Sequence, residues 1–139
     1  MAAQTSPSGS SQNVWLIPEE MEVIDNPAGL RISFRVPEDF YRSGRSEKDR
    51  ALAAAGAEMS TSTAQTAAGW DASASLISIT LEFLAEAIEG PIIGTGTISR
   101  MGANIAFVGG QIMAGDQLCL RATGSCRIEN KFPRTRALA

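Results

Sequence analysis

The chain has no histidine. That absence excludes Ser-His-Asp and Cys-His nucleophilic machinery. It also removes the commonest transition-metal ligand, and the two cysteines present do not make a zinc site. Acid–base chemistry must then come from carboxylates, Lys, Tyr or backbone groups. A basic surplus is lacking too. The net charge is −3, which argues against a nucleic-acid partner. No apolar run approaches the ~20 residues of a membrane span. The first residues lack the charged-then-apolar pattern of a secretory leader, so a cytoplasmic protein is expected. Cys119 and Cys126 lie seven apart on one strand pattern. An odd spacing sends them to opposite faces, so they are expected as two small thiols, not as a disulfide.

What remains is a 139-residue chain with 44% apolar residues, enough for one domain with a real core. Residues 1–13, MAAQTSPSGSSQN, read as a polar N-terminal tail. Residues 14–24, VWLIPEEMEVI, carry a Pro-Glu-Glu sequence suited to a first helical turn, so a short helix or lead-in segment is expected there. LRISFRV (30–36) alternates and reads as a strand. From residue 74 onward the period is again two. SASLISITLEFL (73–84), PIIGTGTISRM (91–101), ANIAFVGGQIMA (103–114) and QLCLRATGSCRI (117–128) read as long strands. Met101-Gly102 and Gly115-Asp116 are the turns between them. Gly109-Gly110 in mid-strand signals a bulge or a close approach of another segment. KFPRTRALA (131–139) reads as a basic C-terminal tail.

Between the first strand and the last four lies EKDRALAAAGAEMSTSTAQTAAG (47–69), almost entirely small residues. Its alanines are the best helix formers, and Gly69 suits a C-terminal stop. Ser46 with Asp49 resembles a capping box at the start. A thin helix of this kind suits a curved antiparallel sheet wrapping it on most sides. The expected class is α+β, one central helix with one sheet, over residues 14–130. One carboxylate, Glu58, interrupts the small residues. A carboxylate shut into an apolar site is pushed by desolvation towards a pKa useful for a base.

This pattern resembles the hotdog fold, and within it the PaaI-like acyl-CoA thioesterases, over roughly residues 30–130. The stretch that carries the resemblance is GTGTISRMGANIAFVGGQIMAGDQLCLRATGSCRI (94–128), with LEFLAEA (81–87) similar to the strand and short loop that precede it. The family's motif is Asn-Pro-x-Gly-x-x-His-Gly-Gly, with an acidic residue nine positions after the His. Laid on this chain, Glu58 takes the acidic position, Asp49 that of the His, Arg50 and Ala51 those of the two Gly, and Ser43 that of the Asn.

The resemblance implies hydrolysis of an acyl-CoA thioester. Glu58 would be base or nucleophile, the Arg50 amide an oxyanion donor at the helix N-terminus, and Ser62, one turn on, a water-orienting hydroxyl. Asp49 and Ser43 complete the implied catalytic set, and Arg100, Gly102 and Arg121 are candidates for holding the CoA. No cofactor beyond the substrate's own CoA is implied. A homodimer or homotetramer is, with each site drawing on two chains. The fold's dehydratase and hydratase branches use a catalytic His, which this chain lacks. The alternative is a hotdog protein without hydrolase activity that binds acyl-CoA or a related ligand, or serves as an assembly scaffold. The changed residues at 43, 49, 50 and 51 support that alternative.

Overall fold

A computed structural model describes residues 14–25 and 28–130. The expected tails at 1–13 and 131–139 lie outside them. Strand β1 (Ile17–Ile24) leads into β2 (Gly29–Arg35), then helix α1 (Arg45–Ala68), then β3 (Ala72–Phe83), β4 (Ile92–Met101), β5 (Ile105–Ala114) and β6 (Gln117–Asn130). The six strands form one sheet in the order β1-β2-β4-β5-β6-β3, antiparallel throughout. The helix carries the chain from β2 to the far edge, leaving β1 and β3 as the two edges.

The expected α+β class is observed, with differences at three places along the chain and in how far the sheet wraps the helix. Residues 17–24 form an edge strand, not a helical turn. After a bulge at Glu19, Met21 and Val23 pair with Ile32 and Leu30, while Glu22 pairs with Arg31. That alternation is a strand period, and Pro18 is tolerated because an edge strand needs no N–H there. The helix begins before Ser46. Gly44 is the N-cap, and its N–H donates to Glu47 Oε1 at 2.8 Å. Glu47, not Asp49, therefore closes the first turn. Finally, both cysteines are fully buried, on the same side of β6. The pairing steps from Ile112↔Leu120 to Met113↔Leu118, so Cys119 is an extra residue and the alternation slips by one. The thiols are free, as expected.

The sheet does not enclose the helix. It covers one side, where Leu52, Ala55, Gly56, Met59, Ser60, Thr63 and Ala64 are buried. Arg50, Ala54 and Glu58 on the other side are exposed. Small residues on the sheet set how close the two layers come. A methyl group added at Gly110 would lie 2.6 Å from Met59 Cε, and one at Gly94 would lie 3.2 Å from Met59 Sδ. At Gly96 it would meet the Thr63 hydroxyl. The Gly109-Gly110 signal is thus a close approach; β5 pairs through both residues without a register shift.

Thr63 has no easy escape, because its Oγ1 donates to Met59 O at 2.7 Å and β-branching restricts its rotamer. Gly96→Ala is therefore expected to destabilise the protein by about 1–3 kcal/mol, as overpacking does. Adding Thr63→Ala should recover part of that loss. Urea unfolding of the two single variants and the double checks this. Strict additivity would show that the two positions do not press on each other.

Candidate functional site

Glu58 sits at the middle of the open side of α1. Its Oε2 accepts a hydrogen bond from Ser62 Oγ at 2.8 Å. The pair exists because residues four apart on a helix are neighbours. Ala54, Ala57 and Thr61 flank it, so nothing bulky from the helix shields the carboxylate. Thr61 Oγ1 folds back on the carbonyls of Ala57 and Glu58, at 3.1 and 3.2 Å. Glu58 is exposed in the single chain, and this chain does not supply the enclosure expected for it.

Asp49 is not beside Glu58. Nine helical residues turn through ~900°, two and a half turns, and rise ~13 Å. Asp49 therefore faces the opposite side of the helix. Its Oδ1 lies 3.6 Å from Arg45 Nε, and that oxygen accepts no hydrogen bond among the described residues. The amide of Arg50 also differs from expectation. With the helix starting at Arg45, Lys48 N–H already bonds to Gly44 O, so Arg50 lies in the second turn with an acceptor four residues back. The amides without intrahelical partners are those of residues 45–47. Ser43 precedes the helix, and its Oγ donates to Asp39 O at 2.8 Å.

The candidate CoA residues lie on the other face of the sheet. Arg100 pairs with Phe107, whose neighbours Ala106 and Val108 point inward. Its guanidinium stands 5.7 Å from the centre of the Phe107 ring. Gly102 closes the β4–β5 hairpin, donating to Ile105 O at 2.7 Å. Arg121 is on the same outer face, 3.8 Å from Glu82 Oε1. A single chain does not bring these groups to Glu58.

A second charged group, unexpected from the sequence, gathers at the helix start. Lys48 is buried; its Nζ donates to Ala87 O at 2.9 Å and lies 2.7 Å from Glu86 Oε2. Arg45 Nη1 is 4.0 Å from Glu86 Oε1. The clue in the sequence was the spacing of Lys48 to Ala51, Leu52 and Ala55, which puts it on the buried stripe. Nearby, Tyr41 packs edge-on against Phe40 and its hydroxyl donates to Gly90 O. Burial pushes the Cys119 and Cys126 thiols upward, which keeps them protonated and unreactive at neutral pH. No group of three or more His, Cys, Asp or Glu suited to a metal ion occurs among the described residues. No helix among them is long and apolar enough to cross a membrane.

The fold is that of the hotdog thioesterases. The chain superposes on a thioesterase from Haemophilus influenzae with a TM-score of 0.65 at 13% identity, covering 94% of this chain and 89% of that one. A phenylacetic acid degradation-related protein from Ralstonia eutropha gives a TM-score of 0.63 at 22% identity, over 88% and 89% of the two chains. A Bacillus halodurans protein solved with CoA gives 0.60 at 12% identity, over 78% and 70%. No protein-family model and no curated protein sequence matches the chain.

The Lys48 hydrogen bond and charge, aided by Arg45, hold the Glu86 carboxyl below its ordinary value of 4.5, against a smaller opposing effect of desolvation. A carboxyl lowered in the folded state contributes stability above its unfolded value and loses it as pH falls through the folded value. Glu86→Gln should therefore unfold at a lower temperature than the parent at pH 7. The gap should narrow as pH drops below 4.5. Thermal melts at pH 7 and pH 3 check this; a gap that widens in acid would contradict the assignment.

Proposed function

We propose that the protein hydrolyses an acyl-CoA thioester to the free acid and CoA, with Glu58 as general base. The Glu58–Ser62 pair carries this reading: a carboxylate oriented by a hydroxyl, at the centre of the helix face that the sheet leaves open, in a fold shared with thioesterases. Glu58 takes a proton from a water as the oxygen bonds to the thioester carbon. The carbonyl oxygen becomes the oxyanion. Its collapse breaks the C–S bond, and the thiolate leaves and takes up a proton. Ser62 donates to one carboxylate oxygen and leaves the other free for the water.

The oxyanion needs donors that are unpaired in advance. In this chain the unpaired helix amides are at 45–47, ~18 Å along the axis from Glu58. Within one protomer they do not reach. A homodimer in which the helix start of one chain faces Glu58 of its partner would join the two halves and cover the open face. That arrangement would also supply the enclosure that raises a carboxylate's basicity. CoA is the thiol named because the Bacillus halodurans protein was solved with it.

A second reading has its own support. The residues at 43, 49, 50 and 51 depart from the thioesterase motif, and the Arg50 amide lies inside the helix. These favour a hotdog protein that binds acyl-CoA without cleaving it.

Glu58→Gln should lower kcat/KM by about 10²–10⁴-fold across an acyl-CoA panel, the usual range for a lost general base. Release of free thiol is the readout. Equal rates for parent and variant would remove Glu58 from the reaction. Stabilisation of the parent by CoA esters in thermal melts, with no thiol released, would establish the binding reading instead.

A further inference from the structure

One turn beyond the Glu58–Ser62 pair, the helix borders a depression of about 280 Å³ lined by Met21, Thr61, Ser62, Gln65, Thr66 and Ala74. Met21 comes from β1 and Ala74 from β3, opposite edges of the sheet. The sheet therefore curls far enough for both edges to meet the helix here. Ser62 belongs to both places: it orients Glu58 and forms part of the lining.

Three of the four polar side chains in the lining are already engaged. Thr61 and Ser62 bond within the helix. Gln65 Nε2 donates to the carbonyls of Gly69 and Ala72 at 2.8 and 2.7 Å, and its Oε1 accepts from the Ala74 N–H at 3.0 Å. Gln65 is thus a fixed wall. What is left to a ligand is largely hydrocarbon: the Met21 thioether chain, the Ala74 methyl and the threonine methyls. Such a lining suits an apolar chain and not a nucleotide.

Resting on the thioesterase reading above, we propose that this depression receives the acyl group and that Met21 sets the chain length accepted. With the thioester carbon at Glu58, the acyl tail runs along the 58–62–66 ridge towards Gln65. At the ~30 Å³ a water takes up in the liquid, the depression holds on the order of nine heavy atoms. A short or medium acyl group fills the depression; a long fatty acyl group extends beyond it. Met21 is the adjustable wall, because it is unbranched, half-exposed and carried on an edge strand.

The test measures kcat/KM by thiol release with acetyl-, hexanoyl- and palmitoyl-CoA on the parent, Met21→Ala, Met21→Trp and Glu58→Gln. The parent should prefer hexanoyl over palmitoyl by at least tenfold. Met21→Ala should raise the palmitoyl-to-hexanoyl ratio by about tenfold or more, the scale of one or two methylenes in a pocket. Met21→Trp should lower the hexanoyl-to-acetyl ratio by a similar factor. A ratio of two substrates on one sample does not depend on how much of the variant is folded. Glu58-dependent hydrolysis with one unchanged chain-length profile in all three Met21 forms would overturn the acyl subsite and leave the hydrolase reading standing. Absence of Glu58-dependent hydrolysis with every ester would overturn both.

Discussion

The architecture depends on how closely α1 lies on the centre of the sheet. Met59 and Thr63 press onto a patch where β4 and β5 carry glycine at 94, 96 and 110. Interiors are packed near crystal density, so a missing side chain on one layer is filled by the other. The helix can use medium-sized residues at the contact because the sheet has none there. Apart from Lys48 and Leu52, the rest of its buried stripe is Ala, Gly and Ser, and Gly56 for one faces the larger Leu120 and Leu81.

That packing also explains why the opposite side of the helix is open. The sheet wraps far enough to meet the helix with both edges near its C-terminal half, but not to close over it. Glu58 occupies the uncovered side, tied to Ser62. At the other end, Lys48 and Glu86 lock the helix start to the loop after β3. One end is thus held by a charge pair and the other by Gln65, whose amide bridges the helix to the start of β3. These polar ties from the helix to the rest of the fold lie towards its two ends, and the exposed Glu58 lies between them.

Much of this was readable from residue order. Five of the six strands and the helix follow from period-two alternation and from the alanine-rich run. The misreadings have local causes. Pro18 followed by two glutamates carries a helix-start signal, yet the pairing of Met21 and Val23 with β2 prevails, as tertiary contacts often do over propensity. The slip at Cys119 comes from a bulge, which no alternation rule can foresee because it is the exception to the rule. The helix start was misplaced because Ser46 is a better cap by type, while Gly44 and Glu47 make the actual bond. That shift of two residues carries the unpaired amides further towards the N-terminus, away from Arg50.

Residue order therefore specified the class of fold, the slenderness of the helix and the isolation of Glu58, since periodicity and side-chain size are local properties. Which face each residue presents was settled by assembly. Asp49 and Glu58 look like partners at a motif's spacing, but both lie within one helix, where nine residues make two and a half turns and point them to opposite sides. The joining of Met21 and Ala74 over Ser62 depends on the curl of the whole sheet, a sum over six strands that no short stretch encodes.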